Sequence, residues 1–144
     1  MYLLDTNWIL QALGGYEPAA VTRRTIAGMG INISIVSIGE IYESAFNFAN
    51  PHAHLASFRR HLDACTLLNL SEPIMERFAD LRAFLRRRGQ MISDFDILIA
   101  PTALHHNLTV LTFNRRHFER VPDLKLYQPA RLPRTAIRAA APPS

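Results

Sequence analysis

Residues 94–112 read DFDILIAPTALHHNLTVLT. Two acids open an apolar run long enough for a helix over 94–107, and LTVLT (108–112), rich in β-branched and aliphatic residues, reads as the strand it feeds into. The same alternation extends in both directions. YLL (2–4) is a short strand ending at Asp5, and NWILQAL (7–13) is a helix stopped by Gly14-Gly15. Pro18 opens a second helix over 19–30. INISIVS (31–37) reads as a strand and passes at once into SIGEIYESAFNFA (37–49), where Ile38, Ile41, Tyr42, Ala45 and Phe46 share a helical face. Pro51 begins a helix to about Asp63, and CTLLNL (65–70) is a third strand. Ser71-Glu72-Pro73 starts a helix with Ile74, Phe78, Leu81, Phe84 and Leu85 on one face, ending at Arg86-Arg87-Arg88-Gly89. LKLY (124–127) is the fifth strand.

Strands separated by helices are not hairpin partners. The expected architecture is therefore α/β: a mostly parallel central sheet of four to five strands with helices on both faces. Ligands in such sheets bind beyond the carboxyl ends of the strands. A chain of 144 residues suits one domain, here residues 1–127. Residues 128–144, QPARLPRTAIRAAAPPS, hold three arginines, four prolines and no acid, the composition of a flexible tail.

The bulk composition narrows the function classes. The net charge is +4, and 15 of the 16 basic residues are arginine, whose planar forks match phosphate and carboxylate alike. Nucleic acid and an acidic protein partner both remain open. One cysteine, Cys65, precludes an intrachain disulfide, which fits a reducing cytoplasm. No apolar stretch approaches the length of a membrane span, and an acid at position 5 is unlike a signal peptide. There is no glycine-rich phosphate loop, and the six histidines show no zinc-site spacing.

The acids fall at the ends of strands. Asp5 follows the first strand, Glu40 lies one turn into the helix after the second, Asp94 and Asp96 begin the helix before the fourth, and Thr112 and Asn114 follow the fourth. Each has a local reading. Asp5, Thr6 or Asn7 can cap the first helix, Ser37 and Glu40 fit a capping box, Ser93 or Asp94 can cap the 94–107 helix, and Thr112 and Asn114 suit a turn. Taken jointly, acids converging on one sheet edge would repel unless a cation is present. A hard divalent ion such as Mg²⁺ prefers such carboxylate oxygens. Arg115 and Arg116 follow Asn114 directly and would stand beside that pocket, suited to RNA phosphates.

LLDTN, SIGEIYESA, DFDILIAPTAL and LTVLTFNRRHF together resemble the PIN domain, and within it the VapC-type ribonuclease toxins of bacterial toxin–antitoxin pairs, over residues 2–127. The resemblance implies a PIN-like three-layer sandwich. It also implies a ribonuclease that uses Mg²⁺ or Mn²⁺, held by Asp5, Glu40 and Asp96. Asn114 falls at the family's fourth position, Thr6 and Thr112 at its hydroxyl positions, and Asn7 and Asp94 beside them. An RNA substrate, an inhibitory antitoxin and a homodimer are implied as partners. The alternatives are a non-catalytic RNA- or protein-binding module and a processing nuclease without an antitoxin. Three residues depart from the family pattern: Pro101, where alanine is usual, Ser44, where glycine is frequent, and His117, where aspartate is frequent.

Overall fold

The computed structural model describes residues 1–15, 22 and 28–128. The elements are β1 (Tyr2–Leu4), α1 (Thr6–Leu13), β2 (Ile31–Ser34), α2 (Ile35–Ala45), α3 (Pro51–Leu62), β3 (Thr66–Leu68), α4 (Glu72–Arg87), α5 (Asp94–His105), β4 (Thr109–Leu111), α6 (Arg115–Phe118) and β5 (Lys125–Leu126). Of the helix expected over 19–30, residues 19–21 and 23–27 lie outside the described residues, as does the tail beyond Gln128, while 28–30 form a turn and bend before β2.

The five strands form one sheet in the order β3-β2-β1-β4-β5, and every pairing is parallel. Alternation along the strands divides the interior in two. In register across β1 and β4, Leu3 pairs with Val110 and Leu4 with Leu111. Leu3 and Val110 pack on one face with Leu81 and Leu85 of α4, Ile97, Ile99 and Ala103 of α5, and Phe118 of α6. Leu4 and Leu111 pack on the other with Trp8 and Ile9 of α1, Ile33 of β2 and Ile41 of α2. Helices thus cover both faces of the sheet, which is the expected three-layer arrangement.

One boundary differs from the sequence reading. Helix α2 begins at Ile35, with Ser34 as its cap: the Ser34 hydroxyl accepts from the Val36 N–H at 3.1 Å. The β-branched pair Ile35-Val36 favours a strand, but the cap and the pairing of β2 with its two neighbours end the strand at Ser34. Ser37 is consequently inside the helix and wholly buried, and the expected capping box with Glu40 is not the arrangement found. Helix α2 also ends at Ala45, short of the expected 49. Ser44 donates to the Ile41 carbonyl at 2.6 Å.

Helix α5 runs without interruption from Asp94 to His105 through Pro101. Proline has no N–H for the Ile97 carbonyl, while the next residue, Thr102, donates its hydroxyl to the Leu98 carbonyl at 3.0 Å. Strand β3 lies at the sheet edge, so its apolar run is less enclosed than its composition suggests: Leu67 is 47% exposed and Cys65 is half-buried.

Candidate active site

Strand order turns at β1, with β2 on one side and β4 on the other. The crevice outside the carboxyl ends of these three strands is where open α/β sheets bind ligands. Asp5 sits directly at the end of β1, and its N–H is tied to the Leu111 carbonyl of β4 at 2.9 Å. Its carboxylate does two jobs. Oδ1 accepts from the Thr6 N–H at 2.8 Å and so caps α1, while Oδ2 accepts from the Thr112 hydroxyl at 2.8 Å. Asp5 thus caps α1 with one oxygen and meets a residue that follows β4 with the other.

The neighbouring elements complete the cluster. Thr6 Oγ1 lies 2.6 Å from Glu40 Oε1 and 2.9 Å from Ser37 Oγ. A hydroxyl has one proton to give, so Thr6 donates to the carboxylate and Ser37 donates back to Thr6. From the opposite side, the Asn114 N–H donates to Thr112 Oγ1 at 2.8 Å, and the Asn114 amide Nδ2 donates to Asp96 Oδ2 at 3.2 Å. Asp96 is positioned by the start of α5, where Ser93 caps the helix by accepting from the Asp96 N–H at 3.2 Å. Three carboxylates thus arrive from α2, α5 and the end of β1, linked by two threonines, a serine and an amide.

His117 joins them. Its Nδ1 is 3.0 Å from Asp96 Oδ2 and 2.7 Å from Asn114 Nδ2. One ring nitrogen cannot donate to the acid and accept from the amide simultaneously. A charged imidazole pairs with Asp96, and a neutral one bearing its proton on Nε2 accepts from Asn114.

The electrostatics follow from burial. Asp5 is 3% exposed, and its carboxyl is pushed from 3.8 up to about 6, chiefly by loss of solvent and then by the charge of Asp96. The hydrogen bond from the Thr112 hydroxyl opposes this by more than Asp96 adds, and the Thr6 N–H, which lowers the value, and the charge of Glu40, which raises it, act more weakly. Glu40 is also raised, by desolvation first and by Asp96 and Glu43 after it, against the lowering effect of Thr6. These are acids that burial and mutual repulsion make reluctant to ionise.

Other expected site residues stand apart. Asp94 is exposed on the outside of α5 and pairs with Arg82 at 3.1 Å. Asn7 is exposed on α1, and the bonds of the cluster run through Thr6. Arg115 donates to the Tyr127 carbonyl at 2.9 Å and faces Glu119 at 3.5 Å, so it fastens the end of β5. Arg116 is exposed beside it. Ser37 was missed as a site residue because its partner Thr6 is 31 positions away. The departure at His117 was visible, but its contact with Asp96 was not.

The sequence pattern of the PIN domain matches residues 2–124. The chain belongs to the PIN domain family. It is 30% identical over 125 residues to the tRNA(fMet)-specific endonuclease VapC of Shigella flexneri, covering 86% of this chain and 94% of that protein. It is 28% identical over 125 residues to the ribonuclease VapC2 of Haemophilus influenzae, with the same coverage of 86% and 94%. Among solved structures, the VapBC2 complex of Rickettsia felis bound to a promoter DNA fragment superposes with a TM-score of 0.81 at 24% identity, over 88% of this chain and 96% of that one. This PIN domain is thus VapC-like in sequence and carries the same fold.

Proposed function

We propose that this PIN domain is a metal-dependent endoribonuclease acting as the toxin of a toxin–antitoxin pair. The observation that carries the reading is the convergence of Asp5, Glu40 and Asp96 at the turning point of the sheet, with the Asp5 carboxyl raised to about 6. The VapC names of its relatives support RNA as the substrate, and the VapBC complexes support an antitoxin partner. The resemblance to VapC-type toxins also implies a homodimer, and the single cysteine fits a reducing cytoplasm.

The donor set fits a hard divalent cation. Carboxylate oxygens dominate, and Asp5 and Glu40 are raised chiefly by burial and to a lesser degree by neighbouring acids, a cost that a bound cation would relieve. Among the described residues, no three His, Cys, Asp or Glu side chains close on a single point, so an ion shared by all three acids would reach some of them through its bound waters. Asp5, Glu40 and Asp96 would hold Mg²⁺ or Mn²⁺. Such an ion, when bound, lowers the pKa of water and stabilises charge on phosphoryl oxygens.

The chain's own groups orient the site. The Thr6 hydroxyl fixes Oε1 of Glu40, and the Thr6 N–H and the Thr112 hydroxyl fix the two oxygens of Asp5, each of which keeps a further lone pair for an ion. Asn114 does the same for Asp96. His117 can carry a proton at Nδ1 beside Asp96, a position from which a general acid or base acts. Arg116 supplies positive charge near the crevice for the RNA backbone.

The test is cleavage of total RNA by the purified chain with Mg²⁺ or Mn²⁺, in chelator, and with Asp96→Asn. Metal-dependent cutting lost in the variant is the expected result. RNA binding without cutting in any divalent ion would instead make the chain a binding module.

A further inference from the structure

A concave feature is built in part from the residues that directly follow Asn114. A hollow of about 490 Å³ is lined by Phe84, Arg88, Gln90, Arg116, Glu119, Arg120 and Pro122. We propose that this hollow holds a phosphodiester and its nucleotide from the RNA strand, beside the bond that is cut. The proposal rests on the ribonuclease reading above and adds to it where the strand is gripped.

Three guanidinium groups face one carboxylate in the hollow, and that carboxylate, Glu119, is shared with Arg115 at 3.5 Å. Two of the arginines are held in place. Arg120 Nη1 donates to the Met91 carbonyl at 3.1 Å and the Gln90 carbonyl at 3.4 Å, which fixes its plane and leaves other N–H groups available. Arg88 lies over the Phe84 ring, its guanidinium carbon 4.9 Å from the centroid. Arginines at a helix end are commonly just solvated. Here, groups from the end of α4 and from α6 and its exit meet in one depression, which solvation does not require.

Position makes the hollow useful to the acids. Helix α6 is four residues long, yet its cap Asn114 and its His117 reach Asp96, while Arg116 and, just beyond it, Arg120 line the hollow. On the other wall, the Gln90–Met91 segment leads within two residues to Ser93, the cap that places Asp96. An RNA strand must bring phosphates toward a cluster of carboxylates, and adjacent preset guanidinium groups offset that repulsion. The aromatic–arginine surface adds a stacking platform, as proteins that bind single strands use. The volume is in the range of pockets that hold one small ligand.

The test uses the full chain and a labelled twelve-nucleotide single-stranded RNA, with anisotropy measured in chelator across a salt series. Arg88→Gln with Arg116→Gln should weaken binding about tenfold and make the salt slope shallower by about 1.4, the loss of two phosphate contacts. Arg86→Gln with Arg87→Gln removes the same charge from the adjacent exposed turn and should change both far less. With metal supplied, the first pair should raise KM and preserve kcat, and circular dichroism should show both pairs folded. Equal behaviour of the two pairs in a chain that binds and cuts RNA would overturn the hollow and leave the ribonuclease reading intact. An unaltered chain that neither binds nor cuts RNA would end both readings together. Unchanged RNA binding with lost binding of a polyglutamate peptide would overturn the proposal in favour of an acidic protein segment.

Discussion

Leu85 and Asp5 are 0% and 3% exposed, yet their burial acts in opposite directions. Leu85 is enclosed by apolar side chains of α4, α5 and β4, where loss of contact with water is favourable. Asp5 is enclosed at the end of β1, where the same loss of water penalises its charge. One region stabilises the fold, and the other gives up stability to keep three acids together. Substitutions that remove a group from each should therefore have effects of opposite kind.

The largest effect is expected at Asp96→Asn, which keeps the shape and removes the charge. RNA cleavage should fall by at least about 10²–10³-fold, with the thermal midpoint unchanged or raised. Cleavage within tenfold of the unaltered protein would dissolve the functional half of the comparison. Next is Leu85→Ala, expected to cost about 2–5 kcal/mol through lost contacts and a residual cavity. A urea titration reads this as a lower midpoint at constant slope.

Asp5→Asn should move stability the other way. The folded carboxyl titrates at about 6 and the unfolded one near 3.8, so between these values the folded chain holds a proton that the unfolded chain has released. Metal-free stability thus falls as pH rises through that window. Asparagine caps a helix as well as aspartate does, so the variant should gain about 2–3 kcal/mol over the unaltered chain above pH 6 and nothing below pH 4. Parallel stability curves for the two proteins would mean that the carboxyl is not under strain. The smallest effect is expected at Arg82→Ala, because its partner Asp94 is exposed and such pairs contribute about 0–1 kcal/mol. A large loss of RNA cleavage in that variant would return Asp94 to the site.

Much of this contrast was legible in the residues. Alternation of short β-branched runs with amphipathic segments specified the sheet and its layers, because each depends on neighbours close in sequence. Asp5, Glu40, Asp96, Thr112 and Asn114 were recognisable by their positions at strand ends, which a parallel sheet brings to one edge. What escaped depended on distant partners. Ser37 and Ser34 both precede helix-forming runs, and only the packing of β2 decides that Ser34 caps and Ser37 turns inward toward Thr6. Arg115 reads as a phosphate contact from its place after Asn114, whereas its bond to the Tyr127 carbonyl, twelve residues on, depends on the packing of β5. Strand order was equally hidden, and with it the exposure of β3. Asp94 and Asp96 are two residues apart on one helix, and their different fates follow from the face each presents.

The central place of β1 also bears on how the chain is made. A ribosome delivers Tyr2–Leu4 before the other four strands, but this strand is flanked in the finished sheet by β2 and by β4, which spans residues 109–111. Asp5 cannot meet Thr112, nor Asp96 meet Asn114 and His117, until residues 112–117 have emerged. Chains fold from the N-terminus during synthesis where their contacts are local. Here the contacts of the acid cluster span up to 107 positions, so a nascent chain that stops short of β4 cannot assemble the cluster, and a nuclease with this connectivity stays inert beside the RNA that encodes it until residues 109–117 have emerged.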